Sequence, residues 1–191
     1  MSKVTVIVGR HGEKNKDALT TRGAMQIYGM ALLVKEKFGA IKKFRYSGAN
    51  RTHQCATISA AAMEVWDAII TKDPLFHFDV PFKAIFNSQM APYEAELKVI
   101  VAAGGSMKEA LEISEYTRVA RKQITQAILE FAATEENGSV VTASSHGSYG
   151  EFAIPERQLK DFPYQIPMGS AIAYTVEDGV ITNAEFIPAV A

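Results

Sequence analysis

Val4-Thr5-Val6-Ile7-Val8-Gly9-Arg10-His11-Gly12-Glu13 is the stretch that decides how this chain folds. A continuous β-branched run predicts a strand buried on both faces, the pattern of a parallel sheet covered by helices. The run ends in an arginine, a histidine and a glycine. In open α/β sheets, ligands bind in the crevice outside the carboxyl ends of the strands. A guanidinium beside an imidazole at such an end can hold phosphate oxygens while the imidazole attacks phosphorus.

Outward from this strand the elements alternate. Residues 10–20 are polar and predict a loop. Thr20 or Thr21 can cap a helix running to about Phe38, with Met25, Tyr28, Leu32, Val34 and Phe38 at helical spacing and Gly39 as the stop. Phe44 to Ser47 reads as a short strand. Ala49 to about Ile70 reads as an Ala-rich helix packed by Met63, Val65 and Trp66. Phe76 to Val80 alternates and predicts a third strand. Pro81 and Pro92 punctuate an irregular stretch. Helical patterns follow over Tyr93–Ala103 and from Met107 to about Ala133, separated by Gly104-Gly105-Ser106. Val140 to Ser145 predicts a fourth strand that delivers His146-Gly147. Ala171–Val176 and Val180–Ile187 flank Glu177-Asp178-Gly179, a hairpin signal.

This order predicts an α/β protein: a three-layer α/β/α sandwich with a mostly parallel central sheet and a C-terminal antiparallel hairpin. Residues 1–191 read as a single domain, with a pocket-lining insertion around 81–116. The chain is long enough to bury a core without staples. Its formal net charge of -1 supplies no global field for nucleic acid, so an anion site must come from local arginines. The single cysteine excludes an intramolecular disulfide. No apolar run approaches a membrane span, and the N-terminus lacks the apolar region of a signal peptide. The expectation is a soluble, cytoplasmic protein.

Three predicted strand ends carry chemistry. The first presents Arg10 and His11, the second Ser47 and then Arg51, the fourth Ser144-Ser145-His146-Gly147. In a parallel sheet these ends share one edge. Two arginines and two histidines would converge there, as a phosphate dianion requires. A helix starting near Ala49 would add amide donors. His53 and His77 read as structural, and Cys55 as a small core residue. Lys14 and Lys16 read as solvated lysines able to attract an anionic substrate. Ser144 and Ser145 lack the G-x-S-x-G elbow of a serine nucleophile. The four histidines have no zinc-like spacing.

In family order, Val8-Gly9-Arg10-His11-Gly12-Glu13, Leu19 through Gln26, Tyr46-Ser47 through Arg51 to Ala56, Ser144-Ser145-His146-Gly147 and Pro167-Met168-Gly169-Ser170 resemble the histidine phosphatase superfamily, the phosphoglycerate mutase-like fold. The resemblance implies a phosphohistidine intermediate on His11. Arg10, Arg51 and His146 would hold the phosphoryl oxygens, with Gly12, Glu13, Asn15 and Gly147 as further substrate contacts. It implies no cofactor and no metal, and a phosphorylated small molecule or phosphoprotein as partner rather than nucleic acid or membrane. The expected activity is hydrolysis of a phosphomonoester or phosphohistidine. The alternatives are a phospho-ligand-binding member with little turnover and, less favoured because the His11–Thr20 loop is short, a phosphoglycerate mutase.

The general acid departs from the family pattern. Ala84 stands where many members carry a glutamate, and Gly147 where another branch carries an aspartate. Glu94 and Glu96 are the nearest carboxylates, and Glu94 is the preferred candidate. A good leaving group, such as that of a phosphohistidine, would need no strong acid.

Overall fold

A computed structural model describes residues 2–77, 99–100, 102–113, 115–147 and 149–190. Glu94, Glu96, Ala84 and most of the expected insertion lie outside the described residues.

The opening run forms β1 (Lys3–Arg10). A miniature hairpin follows, β2 (Lys14–Asn15) with β3 (Ala18–Leu19). Next come α1 (Thr21–Phe38), β4 (Lys43–Tyr46), α2 (Asn50–Ala62) and β5 (Ile69–Lys72). The second half holds α3 (Met107–Ile113), α4 (Glu115–Ala133), β6 (Val140–Ser145), β7 (Ala171–Glu177) and β8 (Val180–Ile187). Six strands form one sheet in the order β5-β4-β6-β1-β7-β8. β5, β4, β6 and β1 run parallel, and β7 and β8 are antiparallel additions.

The sheet divides the core into two layers. Val4, Val6 and Val8 of β1 pack with Ile124, Ile128 and Phe131 of α4. Ile7 points the other way, into a cluster with Ile27, Met30, Phe44 and Cys55. The period-two alternation of a strand thus serves two helical layers at once. Each fully buried Val or Ile contributes roughly 1.5–3 kcal/mol.

Five expectations are corrected. Helix α1 begins and ends as predicted, with the Thr20 hydroxyl accepting the Gly23 amide and Gly39 closing the helix at φ 83°. Its buried stripe, however, is Gly23, Ile27, Met30, Ala31 and Val34, while Met25, Tyr28 and Leu32 are 64%, 44% and 41% exposed. Both stripes have helical spacing, and a backbone contact chooses between them. A Cβ built on Gly23 would lie 1.9 Å from the Glu13 carbonyl oxygen, so this glycine must face the β1–α1 loop.

Helix α2 stops at Ala62 rather than near Ile70. Glu64 turns the chain with φ 61° and pairs with Lys35 at 2.8 Å. The β-branched Ile69-Ile70-Thr71 then pairs with β4 as the sheet's edge, so the strand after α2 is β5, ahead of the expected 76–80. Pro74–Phe76 is a 3-10 turn in which the Asp73 carboxylate accepts the Leu75 amide, and 78–80 fall outside the described residues. Trp66, expected in the core, is 88% exposed. The single helix expected over 107–133 is two helices, α3 and α4.

Candidate active site

Parallel pairing sets the site. Arg10 is in register with Ser145, Gly9 with Ser144, and Tyr46 with Ser144. The chain leaves β1, β4 and β6 at the same level. The His11 amide donates to the Ser145 carbonyl and the Ser47 amide to the Ser144 carbonyl, each at 3.2 Å. Arg10, His11, Ser47, Arg51, His146 and Gly147 therefore line one open cleft of about 850 Å³.

His11 is 5% exposed. Its Nδ1 lies 2.8 Å from the Gly12 carbonyl oxygen, which can only accept. Nδ1 therefore carries the proton, and Nε2 carries the lone pair of the neutral ring. Burial first, then the positive charges of Arg51, Arg10 and Lys14, push its pKa down to about 4, although the Gly12 hydrogen bond acts upward.

His146 is the opposite tautomer. Its Nδ1 faces Arg51 Nη2 at 3.0 Å, and a guanidinium can only donate. The Nε2–H donates to Ser47 Oγ at 2.8 Å. Ser47 in turn donates to Thr52 Oγ1 at 2.9 Å, and Thr52 to the Ala49 carbonyl at 2.8 Å. Burial and the Arg51 charge push the His146 pKa down to about 2. The edge of the His77 ring meets this imidazole, with centroids 4.7 Å apart and planes at 84°.

Arg10 lies with its guanidinium against Gly147. A Cβ there would meet Cζ and Nε at 2.5 Å, so only glycine leaves the guanidinium room. Arg10 Nη1 donates to the Ile166 carbonyl, and burial lowers the Arg10 pKa while the Glu151 charge raises it. Arg51 comes from the first turn of α2. It donates to Asp17 Oδ1 at 2.5 Å, and the Asn50 amide reaches the other oxygen, Oδ2, at 3.2 Å. Partial burial acts upward on the Asp17 carboxyl, but the Asn50 and Arg51 contacts hold it below its ordinary range. Both Arg10 Nε and Arg51 Nε are shielded from solvent and have no acceptor among the described residues. A buried donor without an acceptor is costly. Two guanidinium forks lining one cleft suit an anion with several oxygens.

Other sequence candidates fall elsewhere. Gly12 is buried against the backbone of Gly23 and orients His11 through its carbonyl. Glu13 accepts the Thr20 hydroxyl at 2.9 Å and lies 3.8 Å from Arg22, outside the cleft lining. Asn15 is exposed on β2 and also outside the lining. Among the described residues, the cleft is lined in addition by Lys14, Asp17, Lys72, His77, Gln165 and Met168. Lys72 was findable, since it ends a β-branched run at the same sheet edge. His77, expected to be structural, lines the cleft and meets the His146 ring. Nothing in the spacing marks Asp17. Cys55 is a core residue whose thiol burial pushes up to about 12, and His53 lies outside the cleft against Tyr46. Among the described residues, no group of three or more His, Cys, Asp or Glu side chains is arranged to hold a metal. No described helix is long and apolar enough to cross a membrane.

No protein-family model and no curated protein matches the sequence. Solved structures do match the fold. Bacillus stearothermophilus YhfR superposes with a TM-score of 0.65 at 14% identity, covering 98% of each chain. A phosphoglycerate mutase from Bacillus anthracis superposes at 0.61 and 15% identity, covering 99% of this chain and 93% of that one. The phosphoserine phosphatase of Entamoeba histolytica, solved with 3-phosphoglyceric acid, superposes at 0.58 and 16% identity over 96% of each chain. These likenesses run the length of the chain, and they are likenesses of fold.

Proposed function

From the histidine phosphatase fold of this chain, phosphoglycerate mutase-like in its sheet and hairpin, we propose that the protein is a phosphatase acting on a phosphomonoester or a phosphohistidine. The observation that carries this reading is the state of His11. Its Nδ1–H is committed to Gly12, and its ring is neutral well below pH 7. That leaves an Nε2 lone pair on a histidine of a cleft that the guanidinium side chains of Arg10 and Arg51 also line.

The Nε2 lone pair attacks phosphorus, and the new P–N bond forms as the bond to the leaving group breaks, a P–O bond in a phosphomonoester and a P–N bond in a phosphohistidine. A leaving oxygen takes a proton, for which Glu94 is the candidate donor; a leaving imidazole nitrogen would need little help. Water then attacks the phosphohistidine. The P–N electron pair returns to Nε2, phosphate leaves, and the proton of the water restores the donor. Arg10 and Arg51 hold the phosphoryl oxygens through both steps, and His146 adds a third contact when its Nδ1 takes up a proton. Phosphoryl transfer depends mainly on such positioning and charge stabilisation.

The test is hydrolysis of an aryl phosphate by wild type and His11→Ala, with acid-labile phosphoenzyme trapped by rapid quench. Turnover and a phosphoenzyme in wild type, both absent in His11→Ala, are expected. Phosphate binding without phosphoenzyme would instead favour the ligand-binding reading.

A further inference from the structure

Outside the cleft lining is a buried carboxylate that the proposed chemistry does not use. Glu151 sits in a 3-10 turn (Gly150–Ala153) and is 1% exposed. Its Oε1 accepts the Ile166 amide at 2.9 Å. The carbonyl of the same residue accepts Arg10 Nη1. Ile166 is itself buried and precedes Pro167, whose ring confines the Ile166 backbone to extended conformations. One stiff residue therefore connects the Glu151 carboxylate to the Arg10 guanidinium. Gly147 lies against the Cζ and Nε of the same guanidinium and leaves no room for a Cβ. Arg10 thus has a carbonyl at Nη1 and a bare backbone against Cζ and Nε.

We propose that Glu151 is a positioning residue for Arg10, acting through the Ile166 backbone to aim the guanidinium at the anion held in the cleft. This rests on the proposed role of the cleft as a phosphoryl site, and it concerns geometry rather than charge. The two can be separated, because electrostatics alone predicts the opposite sign. A buried negative charge near the cleft weakens anion binding, so an effect through charge would make Glu151→Gln and Glu151→Ala both bind anions more tightly. An effect through position keeps Glu151→Gln closest to wild type among the variants, since the amide oxygen can still accept the Ile166 N–H. Glu151→Asp, one methylene short, and Glu151→Ala then lose affinity.

The experiment is calorimetric titration of inorganic phosphate into wild type, Glu151→Gln, Glu151→Asp, Glu151→Ala, Arg10→Ala and the Arg10→Ala/Glu151→Asp double variant. We expect Gln within about threefold of wild type. We expect Asp and Ala to be weaker by about tenfold or more. With Arg10 already removed, Glu151→Asp should cost nothing further. If Glu151→Ala does not fold, the Gln–Asp contrast and the double variant decide. Equal affinities in wild type, Gln and Asp overturn the proposal, as does a full Glu151→Asp loss in the Arg10→Ala background, which marks a general structural effect. Wild-type protein that binds no phosphate overturns the reading of the cleft and this inference with it. Wild-type binding that ignores Glu151 overturns this inference alone.

Discussion

His11 and His146 face each other edge to face, ring centroids 5.6 Å apart and planes at 68°, as opposite tautomers. The first presents Nε2 as a base and the second presents Nδ1 as a base. An anion entering between them needs donors, and His146 can supply one only by taking a proton at Nδ1. Arg51 now opposes that proton, and a bound dianion would favour it. Anion binding should therefore be linked to proton uptake. Sulfate is a suitable probe because it does not titrate near neutrality. Its affinity should rise as pH falls from 8 to 5, with up to about one proton taken up per sulfate. Titrations in buffers of different ionisation enthalpy would read this directly. Affinity independent of pH would show that His146 stays neutral with the anion in place.

The Ser47–Thr52 chain makes a second prediction. Ser47→Ala removes the acceptor of the His146 Nε2–H while leaving the ring buried. The orphaned donor should cost about 1–3 kcal/mol of stability. Some rings would then flip tautomer or rotate, and kcat should fall roughly tenfold if orientation is worth about 1.4 kcal/mol. Nitrogen chemical shifts of His146 would show the mixed tautomers. A single unchanged tautomer in Ser47→Ala would mean that Arg51 alone fixes the ring.

The sheet edge was legible in the sequence because parallel strands put their ends together whatever their exact lengths. Arg10, His11, Arg51, His146 and Gly147 meet at one cleft for that reason. The rotation of α1 was not legible. Its two apolar stripes are equivalent by spacing, and the Gly23 contact with the β1–α1 loop that chooses between them is a tertiary fact. The end of α2 is not legible either: alanine content favours helix to about Ile70, while the pairing partner of Ile69-Ile70-Thr71 lies 26 residues away at β4. Asp17 and Glu151 were invisible for a related reason. Each is an acidic residue in a polar or turn segment, and only the fold brings one to Arg51 and the other to Ile166.

Two glycines in the motifs should fail differently. The nearest atoms to a methyl on Gly147 belong to the Arg10 guanidinium, a side chain rather than backbone, so the clash falls on the aim of Arg10 and not on the chain path. Gly147→Ala should therefore fold with little change in melting temperature and lose phosphate affinity by about tenfold or more. A methyl on Gly12 meets the Gly23 carbonyl oxygen at 2.2 Å, backbone against backbone. Gly12→Ala should destabilise the whole fold by about 1–3 kcal/mol or more. Thermal melts and phosphate titrations of the pair separate the outcomes. Equal loss of stability in both would show that Arg10 is as rigidly held as the backbone.

The depressed histidines also set how stability depends on pH. Their folded pKa values, about 4 and about 2, lie below the ordinary value of 6.5. Below pH 6.5 the unfolded chain takes up protons that the folded chain refuses. The stability held in the two neutral rings is complete above pH 6.5 and declines as pH falls towards 4. Each ring contributes a slope of up to about 1.4 kcal/mol per pH unit. A His11→Asn/His146→Asn variant should lose this slope. Urea midpoints at pH 7, 6 and 5 for both proteins test it, and parallel curves would show that the rings are not held neutral.

Asp17 is the cleft's own anion. It takes one Arg51 N–H and the Asn50 amide at the start of α2, both of which a phosphoryl group could use. A substrate that engages Arg51 fully must displace this carboxylate. Asp17→Asn keeps the shape and removes the competing charge. Phosphate affinity should then rise by about two- to fivefold, since an exposed ion pair is worth up to ~1 kcal/mol. The gain should shrink at high salt, where exposed charges are screened. The opposite sign is equally readable. If Asp17 serves to hold Arg51 in place beside His146, the variant will bind phosphate more weakly, and Asp17 will belong with the groups that build the cleft rather than those that guard it.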